Sequence, residues 1–172
     1  PFVGRSGDAL DCVLKEIGIK REDVFIDNVV ACFTYSKGAK KLRQRDPSPT
    51  EVANCRQRLL DTIYQIDPYL IVTLGGVGLK ALTGKPGITT NRGRLFTVKI
   101  PGFYKMVSYP LIATFHPAYI LRNPALVYHR PEAQPKTRDR YIPTYMSPAD
   151  LFVEDLKVVK DFLQRLDAFY AT

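Results

Sequence analysis

The sequence is short of the residues that mark several whole classes of protein. Its 172 residues hold three cysteines, Cys12, Cys32 and Cys55, a sparse and odd set that argues against the disulfide framework of a small secreted domain. No Cys-x-x-Cys occurs, so spacing alone gives no metal signature; each thiol reads as a small apolar side chain or as a reduced ligand. Long apolar runs are missing too. None approaches the roughly 18 residues that cross a bilayer, and no basic-then-apolar signal opens the chain, so a soluble, intracellular protein with no membrane partner is expected. Phosphate loops are lacking: Gly75-Gly76-Val77-Gly78 does not match G-x-G-x-x-G and no Walker lysine follows, which disfavours a dinucleotide or nucleoside triphosphate site. Acidic residues are outnumbered, 17 against 25 Lys and Arg, and the net charge of +8 favours an acidic partner, nucleic acid first.

What is present points to one α/β domain over residues 1–172. The hydrophobic share of 45% is enough for one core, and the chain is too short for two full domains. Leu10, Val13, Leu14 and Ile17 recur at helical spacing up to Gly18, and Val52, Cys55, Leu59, Leu60, Ile63 and Ile66 mark the buried stripe of a second helix, started by Asp46-Pro47-Ser48-Pro49-Thr50-Glu51. Strands are predicted for Val24 to Cys32, Tyr69 to Leu74, Leu95 to Ile100 and Met106 to Thr114; the step from Leu74 through Gly75-Gly76 into a helix is that of an α/β sheet. Residues 36–45 carry five Lys or Arg and read as a mobile basic loop, either contacting phosphates or simply solvated. Residues 131–148 contain four prolines and read as an irregular surface excursion, before a closing helix over 149–168.

Two places break the apolar pattern in a way that suggests chemistry. Asp27-Asn28 interrupts a β-branched run, where an unsatisfied buried amide would cost roughly 1–3 kcal/mol; Asn28 either binds something or caps a loop. His116, one of two histidines, stands before Pro117 behind an apolar strand. A residue before proline is pushed out of the α region and proline suits the first helical position, so His116 should sit at a helix start, where free N–H groups favour developing negative charge. Asn123-Pro124 then stops the helix, leaving Tyr119, Ile120 and Leu121 as a short exposed knob beside Arg122. A lone histidine can equally be structural.

Five blocks in order resemble the uracil-DNA glycosylase superfamily, most of all its family 4 iron-sulfur type. Pro1-Phe2-Val3-Gly4-Arg5-Ser6-Gly7 is similar to the PFVG-x-S/A-G block, Ile26 to Cys32 to the strand ending N-I/V-V-x-C, and Arg45-Asp46-Pro47-Ser48-Pro49 to the RDPTP helix start. Gly87 to Gly93 resembles the SIT-x-x-RG segment, and His116 to Pro124 the HP-A/S-YLLRNP motif. The resemblance implies a three-layer α/β/α sandwich with a central, mainly parallel four-stranded sheet. It also implies uracil-containing DNA as partner: Phe2 stacking on the flipped base, Asn28 reading its pairing edge, and His116 donating to O2 of the leaving uracil. Tyr119, Ile120, Leu121 and Arg122 would press into the duplex, and Arg92 of the Gly87 to Gly93 block is also expected on DNA. Lys40, Lys41 and Arg43 are expected on DNA from their charge rather than from the resemblance.

The family holds a 4Fe-4S cluster on four cysteines, and Cys32 and Cys55 fall where its third and fourth ligands fall, with Cys12 left to the core. The first cysteine pair and the water-positioning GE-x-PG motif precede the PFVG block in the family and are not in this sequence. Two expectations follow: a glycosylase whose remaining segment lies elsewhere or on a separate chain, or a catalytically incomplete DNA-binding module attached to or partnering a DNA-processing enzyme. An unrelated α/β enzyme acting on a nucleotide is a third reading, against which the missing phosphate loop counts.

Overall fold

The apolar spacing of the first helical stretch becomes α1, Arg5–Glu16, whose Leu10 and Leu14 are buried. The computed structural model describes residues 2–37, 42–124, 128–130 and 144–170. A short antiparallel hairpin follows, β1 (Tyr35–Lys37) and β2 (Leu42–Gln44), and then α2 (Pro49–Ile66). The start of α2 is a full capping box: Ser48 Oγ accepts from the Glu51 N–H at 3.2 Å while the Glu51 carboxylate accepts from the Ser48 N–H at 2.7 Å. Next come β3 (Ile71–Leu74), α3 (Gly76–Thr83), α4 (Ile88–Asn91), β4 (Leu95–Pro101), β5 (Met106–Thr114) and α5 (Pro117–Arg122). A second small hairpin, β6 (Tyr128–Arg130) with β7 (Thr144–Met146), leads to the long α6 (Pro148–Tyr170).

The central sheet has the order β3-β5-β4, and its middle strand explains the layering. Tyr109, Leu111 and Ala113 of β5 face Leu59, Leu60 and Ile63 of α2 and Leu79 of α3; Ile112 faces Leu10 and Leu14 of α1 and Phe152, Leu156 and Val159 of α6. Covered on both sides, β5 is the near-continuous apolar run that a buried strand needs. Side chains such as Leu79 and Leu111, both fully buried, contribute roughly 1.5–3 kcal/mol each through removal from water. The three-layer α/β/α arrangement therefore holds, with helices on both faces of the sheet.

Several expectations are corrected. Among the described residues the sheet has three strands, not four, and is mixed: β3 runs parallel to β5, and β4 runs antiparallel to it because only Gly102 to Lys105 connects them, too short for a crossover. Val24 to Cys32 joins no ladder; its backbone is extended and bent, and the Asp27 carboxylate takes the Asn28 N–H at 2.7 Å, removing a donor from any strand pairing. The basic stretch is framed by β1 and β2 rather than being wholly a loop, and the proline-rich stretch ends in β7 and the first turn of α6. Residues 131–143 lie outside the described residues.

Candidate functional site

Two parallel strands leave the sheet side by side, with Leu74 of β3 in register with Thr114 of β5, and the site grows from that carboxyl rim. The chain after β3 turns on Gly75, whose N–H donates to the Thr114 carbonyl at 2.8 Å and whose φ of 88° favours glycine. A Cβ on Gly75 would stand 3.1 Å from Cβ of His116, so a side chain there would press on the His116 position. After β5 the buried Phe115 anchors the turn, and His116 takes the extended conformation required before Pro117, at φ −78° and ψ 135°. Its imidazole then caps α5: Nδ1 accepts from the Ala118 N–H at 3.0 Å.

That bond decides the chemistry of the ring. With Nδ1 accepting, the neutral imidazole carries its hydrogen on Nε2, leaving one N–H as a donor. Burial depresses the His116 pKa below its ordinary value, the Arg122 charge depresses it further, and Asp46 opposes both. Neutral, singly donating imidazole is thus the form held at neutral pH. The short α5 does not itself offer an anion cradle, because His116 already uses the free Ala118 N–H.

Phe2 reaches this ring through a tight backbone turn. Phe2 has φ 56° and Gly4 φ 86°, and the Gly7 N–H closes onto the Gly4 carbonyl at 2.7 Å. A Cβ on Gly7 would lie 2.0 Å from the Phe2 carbonyl oxygen, which is why the block needs glycine there. The turn brings the Phe2 ring onto the His116 imidazole, 5.2 Å between centroids and 27° between planes.

Asn28 is held differently. Its segment is tied to α2 by Arg58, whose guanidinium donates to the Asp27 carboxylate and to the Asn28 carbonyl. The side-chain amide of Asn28 is exposed and bonds to no group among the described residues. Sequence reasoning missed Arg58, since nothing local separates it from its neighbour Arg56.

The remaining candidates divide. Of the expected knob, Tyr119 turns back to stack on Phe115 at 5.2 Å and Ile120 packs into the core beside α1 and α6, while Leu121 and Arg122 stay exposed. Six helical residues cannot present three consecutive side chains on one face. Arg92, expected on DNA, is instead committed inward: its Nε and Nη2 bond to the Asp155 carboxylate at 2.9 and 2.6 Å. Lys40 and Lys41 lie outside the described residues, as does the side chain of Arg43. Cys12, expected in the core, is exposed on α1; Cys32 is exposed, Cys55 half-buried, and all three are free thiols. Among the described residues no three His, Cys, Asp or Glu side chains gather to hold a metal, and two thiols do not make the four-thiolate set of a 4Fe-4S cluster, so these residues alone do not fit that group.

The family model for the uracil DNA glycosylase superfamily matches residues 1–143. The chain belongs to the uracil-DNA glycosylase superfamily. Within that superfamily, the type-4 uracil-DNA glycosylase of Thermotoga maritima is 39% identical over 123 residues, covering 72% of this chain and 58% of the relative. The type-4 enzyme of Saccharolobus solfataricus is 36% identical over 132 residues, covering 73% and 56%. A DNA polymerase of Bacillus phage SP01 also matches, 30% identical over 124 residues, 72% of this chain but 12% of the polymerase. The chain spans 58% and 56% of the lengths of the two glycosylases, less than two thirds of either. Among the described residues, this superfamily member has no helix long and apolar enough to cross a membrane.

Proposed function

We propose that this chain carries the base-capturing and leaving-group half of a uracil-DNA glycosylase. The observation that supports it most is the stacked Phe2–His116 pair at the carboxyl rim, with imidazole Nδ1 consumed by its own helix cap and Nε2–H left to donate. In the reaction, water oxygen bonds to C1′ of the deoxyribose as the bond from C1′ to N1 of uracil breaks and the electron pair leaves on the base; the water gives up one proton to become the C1′ hydroxyl, and the departing uracil anion takes up one from solvent. Charge accumulates on uracil O2, where a preorganised donor stabilises the transition state more than the ground state. His116 is that donor. Phe2 supplies the aromatic surface for the everted base and Asn28 the amide that matches its pairing edge; extrusion from the stack costs a few kcal/mol.

Leu121 and Arg122 are the exposed tip that meets the duplex in this reading, with Tyr119 and Ile120 as its support. Lys40, Lys41 and Arg43 meet phosphates. Cys32 and Cys55 are two of four thiolates, and activation of the attacking water belongs to groups outside the described residues. An assay on oligonucleotides containing one uracil, with the chain supplied with the family's water-positioning segment and followed by alkali, tests the reading: strand scission dependent on both uracil and protein is expected. A second reading, a DNA-binding module that has lost catalysis, is favoured by the match to a short stretch of a much longer DNA polymerase. DNA binding without scission, in a preparation supplied with the family's water-positioning segment, selects that reading and overturns the first.

A further inference from the structure

The displaced role of Arg92 points to a function for the closing helix. Asp155 of α6 is 3% exposed, yet its carboxylate takes three donors: Thr114 Oγ1 at 2.7 Å, Arg92 Nε at 2.9 Å and Arg92 Nη2 at 2.6 Å. Arg92 Nη2 also donates to the Leu151 carbonyl at 2.8 Å, and its guanidinium lies 5.7 Å from the centre of the Phe115 ring. Gly93 closes the arrangement: its N–H donates to the Ala113 carbonyl at 2.8 Å, and a Cβ there would come within 2.6 Å of Asp155 Oδ1. Ala113, Thr114 and Phe115 are the three residues that lead to His116, and each is held by this one network.

A buried ion pair is a poor way to gain stability, because desolvation offsets its attraction and an apolar replacement often serves as well. What it offers is a fixed geometry. Here the geometry it fixes is the last step of β5 before the imidazole.

We propose that Thr114, Arg92 and Asp155 act as a positioning clamp that holds the His116 imidazole at its working place on the rim, making α6 a functional element of the site. The proposal rests on the function argued above only for its effect on rate; the effect on the imidazole stands apart from it. None of the three touches the reacting atoms; they act through the backbone of residues 113–115.

The test compares Thr114→Val, which keeps shape and removes the hydroxyl, with Thr114→Ser, which keeps the hydroxyl, and adds Asp155→Asn. Each is made in the full chain and followed by the nitrogen resonances and titration of His116, by thermal unfolding, by DNA affinity and by single-turnover uracil release. Thr114→Val is expected to shift the His116 resonances, move its pKa back toward the ordinary value and slow uracil release at least tenfold, with DNA affinity within twofold. Thr114→Ser should restore all of these to within threefold. Unchanged His116 resonances in a folded Thr114→Val protein, with only the melting temperature lowered, overturn the clamp. If the parent chain, supplied with the family's water-positioning segment, releases no uracil, the functional reading fails and the resonances still decide the clamp; if Asp155→Asn does not fold, the Thr114 pair decides it.

Discussion

The His116 turn and the Asn28 segment meet the same proposed base but are built by opposite means. His116 is fixed by two strand ends, a glycine contact, a helix cap and a buried ion pair behind it. Asn28 is itself exposed on an unladdered stretch that is hydrogen-bonded to α2 by one arginine and pinned by Ile26, Val29 and Val30 against the core. The difference fits the two roles proposed for them. Stabilising a transition-state charge needs a donor that does not move as charge grows, whereas reading a base edge tolerates adjustment as the base arrives.

The largest effect separates the two regions outright. His116→Ala should lower single-turnover uracil release by about 10²–10³, the usual loss on removing one preorganised donor, while DNA affinity stays near the parent value. Asn28→Ala should cost roughly 1–3 kcal/mol in the same rate constant, again with little change in affinity for uracil-free DNA. Equal losses of rate and affinity would deny Asn28 a reading role.

Arg58→Met probes the Asn28 segment alone, because it leaves Asn28 and His116 in place and removes only the hydrogen bonds that tie residues 27 and 28 to α2. About a tenfold loss in release rate is expected, with the His116 resonances unmoved. A shift of those resonances would mean that the two regions are mechanically one.

How far the sequence disclosed this contrast follows from where the controlling signals lie. The His116 turn was legible because its determinants are local: histidine before proline, an apolar strand behind, Asn-Pro at the end. The Asn28 segment was misread as a strand because β-branched residues surround it, while the Asp27 carboxylate that takes the Asn28 N–H competes with pairing. The antiparallel turn of the sheet hangs on the few residues around Gly102, and the four-stranded, mainly parallel sheet is an expectation taken from the resemblance rather than from these residues. Arg92 and Asp155 are 63 residues apart, so no local pattern could join them or turn Arg92 away from its expected place on DNA.

Smaller effects probe the surroundings of the two regions. Replacing Lys40, Lys41 and Arg43 with neutral residues should reduce the slope of log affinity against log salt by about 0.9 for each phosphate no longer neutralised, or about 0.7 on single strands. An unchanged slope assigns the segment to solvent. The smallest effect concerns the start of α2. Arg45, then Ser48, hold the Glu51 carboxyl at about 2, below its ordinary 4.5. A depressed folded-state value means that the unfolded chain takes up the proton first, so the contribution of this box is complete above 4.5 and is lost as pH falls toward 2. Glu51→Gln should therefore flatten the acid limb of a thermal-unfolding series; an identical limb would contradict the assignment.

The central claim is that Phe2, Asn28 and His116 serve one everted pyrimidine. Nitrogen-edited spectra of the chain mixed with an oligonucleotide carrying a single uracil, and with its thymine counterpart, test it most directly. The His116 Nε2–H and the Asn28 side-chain amide should shift together, at the same DNA concentration, with uracil and not with thymine. Movement of only one of the two, or equal movement with both oligonucleotides, would contradict it.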